Sequence, residues 1–186
     1  DNNFIKAKID KDKLIIPNCD YISDKNIVKG NFLQRNSFLD DIPSPYLSGL
    51  CDKFLKTDLV PLLQTTRGCP FTCTYCQEGN IYFSKIARFS IKRIRDEIEY
   101  IAQITKVPTL QLTDSNFGMY SEDIEICKEI AKIQEKYSWP IYFSGIDGKN
   151  KKDQILEAAK IVKGSFLGAA VQSSDPKVLK NIKRDN

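Results

Sequence analysis

From residue 59 onward, apolar positions fall into two alternating rhythms. Leu59 to Thr66 is a short apolar run of strand length. After it, Ile91, Ile94, Ile98 and Ile101 recur at helical spacing, behind Ser90 as the cap of a helix reaching Ile104. Leu110 to Thr113 predicts a second strand, ending in Asp114-Ser115-Asn116-Phe117-Gly118. Ser121 is expected to cap a second helix, with Glu122 and Asp123 in its first turn, through Tyr137. Pro140 to Phe143 predicts a third strand and Asp153 to Val162 a third helix, with Gly164 suited to the left-handed position after it. Phe166 to Val171 is apolar enough for a fourth strand covered on both faces. Pro176, after Ser174 and Asp175, suits the first position of a fourth helix.

Four successive β-α units predict an α/β protein with a parallel sheet and right-handed crossovers. Two closures fit: an open doubly wound sheet, or a β/α barrel, whole or partial. In either, the loops that follow strands lie on one side. The first 58 residues read differently, as an irregular connector. Phe4 to Ile9 alternates, Asp10 to Lys13 is a polar turn, and Leu14 to Pro17 follows, which predicts a small hairpin. A polar stretch from Asn18 to Arg35 then leads to LDDIPSPYLSGL, where Pro43 and Pro45 fix an extended path against the larger body. Residues 1–58 are therefore taken as a connector region and 59–186 as the larger body.

The 186 residues are 41% apolar and 28% charged, the balance of a globular protein. No run reaches the ~18 apolar residues of a membrane span, and no secretory signal pattern opens the chain. The net charge of +4 comes from Lys and Arg spread along the chain, which reads as a solvated surface rather than a nucleic-acid footprint. Starting at Asp1, with Met119 as its only methionine, the sequence reads as part of a longer protein. Six cysteines without a secretory signal argue against a disulfide scaffold. Cys127, beside Ile126 and Ile130, is expected as a buried free thiol, and Cys19 and Cys51 lie in loops.

The remaining three cysteines carry the chemistry. GCPFTCTYCQ places Cys69, Cys73 and Cys76 in the loop after the first strand, and the chain has no histidine. Structural zinc needs four ligands, usually as two pairs. A redox dithiol at Cys73 and Cys76 leaves Cys69 unused. Three thiolates can hold three irons of a cubane and leave the fourth open, whereas electron-transfer ferredoxins usually fill all four positions with cysteine. An incomplete set suggests a cluster that binds a substrate or cofactor directly. A non-catalytic iron–sulfur electron-transfer or structural metal-binding module is the alternative.

CPFTCTYC resembles the C-x3-C-x-Φ-C motif of the radical S-adenosylmethionine (radical SAM) superfamily, Tyr75 being the aromatic Φ. The resemblance covers most of residues 59–186. With LDDIPSPYLSGL, TTRGCPFTCTYC and LTDSNFG together, it narrows to members that carry an N-terminal cobalamin-binding domain. That domain and its characteristic histidine are not in these residues; either it lies upstream of Asp1 or this member lacks it. The resemblance implies a partial parallel (β/α) barrel of TIM-barrel kind, with about four of its usual six units here. It also implies a [4Fe–4S] cluster on Cys69, Cys73 and Cys76 that cleaves S-adenosylmethionine reductively to a 5′-deoxyadenosyl radical. Methyl transfer with cobalamin is the reaction expected of the narrower group. Tyr75 corresponds to the position near adenine, Asp114 to groups near the methionine end, and Gln172 and Ser173 to polar residues near the ribose or carboxylate. Each has a plainer reading: loop packing for Tyr75, a turn cap for Asp114, a helix start for Gln172 and Ser173. Arg88, before the first helix, could pair with a carboxylate, but is expected to be solvated. A low-potential donor such as a flavodoxin or ferredoxin is the implied partner, and a reducing cytoplasm the implied compartment. A tRNA methylthiotransferase would need a second cluster and an RNA-binding extension, neither visible in these residues.

Overall fold

The computed structural model describes residues 15–31 and 35–184, which fall into two compact units, residues 1–36 and 37–186. The hairpin expected over Phe4–Pro17 lies almost wholly outside the described residues. The polar stretch after it is not irregular throughout. Tyr21–Ser23 (β1) pairs antiparallel with Asn26–Val28 (β2). Asp24 and Lys25, both at positive φ (48° and 64°), form the two-residue turn between them. That backbone matches the twist of a hairpin, though glycine more often supplies it.

In the larger unit, residues 37–58 include a 3-10 turn, Leu39–Asp41, and one short α-helix, Asp52–Leu55 (α1). The Pro-Ser-Pro-Tyr segment is fastened through buried polar groups. Ser44 Oγ donates to Glu97 Oε1 at 2.5 Å, and Arg93 Nε donates to the same oxygen at 2.7 Å. Both Arg93 Nη atoms donate to the Ile42 carbonyl at 3.1 Å. Tyr46 Oη donates to the Leu62 carbonyl at 2.5 Å. A bidentate guanidinium on a main-chain carbonyl holds the connector in one register against its helix.

The first predicted strand divides in two. Leu62–Leu63 (β3) joins the main sheet, whereas Thr66–Arg67 (β4) turns away to pair antiparallel with Ala87–Arg88 (β5). The first long helix, Ile91–Ile104 (α2), is capped by Ser90 as predicted: its Oγ accepts from Arg93 N at 3.1 Å. Replacing Ser90 with alanine should cost about 1 kcal/mol, read as a lower urea midpoint at unchanged slope. Thr109–Leu112 (β6) follows, then Ser121–Tyr137 (α3). Here Tyr120, not Ser121, takes the cap position. Asp123 Oδ2 accepts from Gly118 N (2.9 Å) and Tyr120 N (3.0 Å), so the carboxylate at the third helical position meets the free donors and no hydroxyl cap is needed.

The third strand, Tyr142–Ile146 (β7), starts two residues later than predicted, because Ile141 N and Tyr142 N both bond to the Pro108 carbonyl before the ladder begins. Lys152–Ile161 (α4) matches the third helix, and Gly164 takes its left-handed conformation, φ +67°. The fourth strand is Ser165–Leu167 (β8), shorter than expected because Gly168 N bonds to the Ile146 carbonyl, where β7 ends. Phe166 and Leu167 are 59% and 51% exposed, so these residues do not cover both of its faces. Pro176–Asn181 (α5) completes the order, with Asp175 as its cap.

The sheet order β3-β6-β7-β8 is parallel throughout and runs in sequence order. A doubly wound sheet reverses its order at a switch point; this one does not, and barrel winding is the arrangement left. The core lies on one side of the sheet. Leu63, Leu110, Leu112, Phe143 and Ile146 meet Ile94, Ile98, Ile101, Cys127, Ile130 and Ala158 of the helices, all buried. On the other face Leu62, Gln111, Tyr142 and Phe166 stand exposed. Among the described residues the architecture is a partial (β/α) barrel, four strands wide and not closed.

Candidate functional site

The cysteine loop begins after β4, outside the main sheet, and ends before β5. Its first anchor is Gly68, at φ +115°, where a Cβ would be driven into the Lys85 carbonyl oxygen and lie 2.7 Å from that of Phe83. The second is the bond from Cys69 N to the Phe83 carbonyl at 2.9 Å. Within the loop, Cys76 N donates to the Cys73 carbonyl (3.2 Å) and Gly79 N to that of Cys76 (3.0 Å), winding the backbone into successive tight turns. The end of α5 reaches the same loop, with Thr74 N donating to the Ile182 carbonyl at 3.0 Å. Cys69 and Cys73 are 2% and 3% exposed, and Cys76 is half-buried. A cleft of about 530 Å³ opens beside them, lined by Thr72, Cys73, Thr74, Cys76, Gly79, Asn80, Ile81, Ser84 and Lys183.

Two strand-end loops close on Cys69. Asn116, after β6, donates from Nδ2 to Cys69 Sγ at 3.2 Å, and Lys149, after β7, donates from Nζ at 3.9 Å. Lys149 also lies 5.0 Å from the centre of the Phe71 ring. Neither residue stands out in the sequence. Asn116 lies inside LTDSNFG; Lys149 carries no local signal, because 80 residues separate it from Cys69.

Asp114 lies under the loop rather than in its cleft. Its Oδ1 accepts from Thr65 N (2.7 Å) and Thr66 N (3.0 Å), and its Oδ2 accepts from Thr65 Oγ1. The carboxylate therefore bridges the point where the chain passes from β3 to β4. Burial pushes its pKa up to about 6, against the downward pull of the three hydrogen bonds, with the Asp123 charge adding to the rise. Arg88, expected to be solvated, is paired instead. Its Nη1 is 3.2 Å from Asp123 Oδ1 and its guanidinium stacks 4.3 Å from the centre of the Tyr120 ring. The buried Asp123 would otherwise be an uncompensated charge. Burial raises the Asp123 carboxyl, and its hydrogen bonds and Arg88 oppose that rise.

Tyr75 stands half-exposed on the loop. Gln172 is exposed with a left-handed backbone, φ +66°, and Ser173 Oγ accepts from Asp175 N at 3.1 Å ahead of α5. Cys127 is fully buried in the core, where burial pushes its thiol up to about 12 and keeps it protonated. It is a buried free thiol, as expected.

The surroundings suit an iron–sulfur cluster. The donors are soft thiols. Two buried polar atoms near Cys69, Asn116 Oδ1 and Tyr120 Oη, have no hydrogen-bond partner among the described residues, as expected of groups facing a polar guest. Among the described residues no three Cys, Asp or Glu side chains close on a single metal ion. A cubane does not require that, since it spreads its thiolates over separate irons.

Residues 63–186 match the family model of the Radical SAM superfamily. A cobalamin-dependent radical SAM methyltransferase, TokK, of Streptomyces tokunonensis is 32% identical over 171 residues, 86% of this chain and 25% of its own. A 2-(S-pantetheinyl)-carbapenam-3-carboxylate methyltransferase of Streptantibioticus cattleyicolor is 33% identical over 158 residues, 78% of this chain and 23% of its own. The chain thus spans about a quarter of the length of these curated relatives. Among solved structures, the cobalamin-dependent S-adenosylmethionine radical enzyme OxsB, with aqua-cobalamin bound, superposes with a TM-score of 0.69 at 18% identity, covering 100% of this chain and 28% of that one. The radical S-adenosylmethionine methyltransferase TsrM from Kitasatospora setae, with tryptophan substrate and a SAM analog bound, gives 0.64 at 14%, covering 92% and 35%. These two share the fold. With a family match over two-thirds of its length, three cysteines in the motif loop and a barrel wound in sequence order, the chain belongs to the radical SAM superfamily.

Proposed function

We propose that this chain is the cluster- and S-adenosylmethionine-binding part of a cobalamin-dependent radical SAM methyltransferase. The observation that carries the reading is the loop of Cys69, Cys73 and Cys76, which follows the first barrel strand by way of β4 and offers three thiols and no fourth. The two relatives above 30% identity, both methyltransferases, support the reaction class. One-electron reduction of S-adenosylmethionine is the chemistry a [4Fe–4S] cluster supplies when bound there.

In this reading Cys69, Cys73 and Cys76 hold three irons, and Gly68 and Gly79 let the backbone fold tightly enough to present them. Tyr75 offers its ring to adenine. Gln172 and Ser173 meet the ribose or carboxylate. Asp114 acts on the ligand site through Thr65 and Thr66, whose positions it sets. The electron comes from a low-potential donor such as a flavodoxin or ferredoxin, in a reducing cytoplasm. Among the described residues no helix is long and apolar enough to cross a membrane.

The test is an EPR spectrum of the full-length protein, reconstituted anaerobically and reduced, with and without S-adenosylmethionine. A [4Fe–4S] signal that changes on addition is expected, together with reductive formation of 5′-deoxyadenosine. A signal indifferent to S-adenosylmethionine would sink the catalytic reading in favour of an electron-transfer or structural module.

A further inference from the structure

Cys69 differs from the other two loop thiols in what surrounds it. Its sulfur receives the Asn116 amide at 3.2 Å and the Lys149 ammonium at 3.9 Å. The two donors come from different strand-end loops, and those loops are tied together: Gly148 N donates to the Phe117 carbonyl at 3.0 Å and Lys149 N to Met119 Sδ at 3.2 Å. Asn116 is 5% exposed, so its amide has no route to bulk water in exchange for the sulfur. The Lys149 head is held from one side by the Phe71 ring and from the other by the thiol. Asp147 attracts it electrostatically from two residues away.

A core helix or a solvated loop has no need of such a pair. An amide N–H and an ammonium aimed at one sulfur favour negative charge on that sulfur. Hydrogen bonds and charge at the ligand sulfurs are among the levers that set iron–sulfur reduction potentials. We propose that Asn116 and Lys149 are positioning residues for the cluster, two N–H donors on Cys69 that raise its reduction potential. The inference rests on the cluster reading given above. The step concerned is a single electron passing from a low-potential donor into the cluster, which gains one negative charge; no bond forms or breaks. Charge added to the cluster is shared by its sulfurs, and the two donors stabilise the share on Cys69. Their effect is therefore larger in the reduced state than in the oxidised one.

The experiment is an EPR-monitored redox titration of the full-length, reconstituted protein without S-adenosylmethionine, alongside iron and sulfide analysis. The variants are Lys149→Met, Lys149→Arg and Asn116→Leu. Lys149→Met is expected to bind a full cluster whose reduction constant falls about tenfold, a shift of about 59 mV to lower potential for one electron. Lys149→Arg should stay near wild type, because it keeps the charge. Asn116→Leu should shift the potential in the same direction. Lys149→Met decides the matter if Asn116→Leu loses its cluster, because Lys149 lies in a partly exposed loop outside the core. A fully loaded Lys149→Met protein at wild-type potential overturns the proposal, and does so equally if its affinity for S-adenosylmethionine alone has changed. A wild-type protein that takes up no cluster overturns this proposal and the functional reading together.

Discussion

Replacing Gly79 with alanine is expected to strip the protein of most of its cluster, although no ligand changes. Gly79 lies three residues beyond Cys76, and its backbone is folded onto Cys73. An added Cβ would run into the Cys73 carbonyl oxygen and come within 3.1 Å of both its carbonyl carbon and its nitrogen. These are main-chain atoms of a candidate ligand, so no side chain can swing aside to make room. The loop can accept the methyl only by separating the Gly79 and Cys73 backbones, which disturbs the spacing of the thiols. Overpacking of this kind costs about 1–3 kcal/mol, a cost that falls on the geometry of the thiols. Iron and sulfide content after reconstitution of the full-length variant should be a small part of wild type. Far-ultraviolet circular dichroism should be unchanged, because the loop lies outside the helix-covered core. Gly68→Ala should behave alike, with the added strain of a left-handed alanine at φ +115°. A Gly79→Ala protein with a full complement of iron would show that the loop is looser than these contacts imply.

What the sequence disclosed follows from how local each signal is. The isoleucine stripe at 91, 94, 98 and 101 and the Ser90 cap are written within single turns of helix, and α2 starts and ends where they predict. The cysteine spacing is local in the same sense. Strand limits were less legible, because a strand ends where its neighbour does. β8 stops at Leu167 on account of Ile146, which no pattern near residue 167 could announce. The choice between barrel and doubly wound sheet was open for the same reason, and the order of pairing decided it. The split of the first strand is another case: Thr66 and Arg67 look like a continuation of Leu62 and Leu63, yet pair with Ala87 and Arg88.

The site shows the same division. The three thiols were legible, but their environment was not. Arg88 read as a surface residue, because the carboxylate that claims it lies 35 residues away and the Tyr120 ring nearly as far. Asn116 and Lys149 reach Cys69 only after two β-α units have wound past each other. Short motifs name the reacting groups, and long-range packing supplies the charges that tune them.

The largest pH effect should come from Asp114. Burial holds its pKa at about 6, above the ordinary carboxylate value near 4. A carboxyl whose pKa is raised on folding binds its proton more tightly in the folded state than in the unfolded chain. Its contribution to stability is thus fully present below about pH 4 and is lost as pH rises through about 6. A proton held about a hundredfold more tightly in the folded state corresponds to about 3 kcal/mol. Asp40, Asp96, Glu99 and Glu122, held below their usual range by hydrogen bonds foremost, weaken folding in acid instead. Comparison with Asp114→Asn separates the two, since those four groups are common to both proteins and cancel. The asparagine keeps an acceptor for Thr65 N and Thr66 N and does not titrate. Urea unfolding of the cluster-free, full-length proteins at several pH values between 4 and 7 gives the difference directly. The wild-type protein should lose about 3 kcal/mol relative to the variant across that range, most of it between pH 4 and 6. A difference that stays flat would mean that the hydrogen bonds from Thr65 and Thr66 offset the burial of Asp114. A difference of opposite sign would mean that they outweigh it, and that the carboxylate stands ionised beneath the cysteine loop even in mild acid.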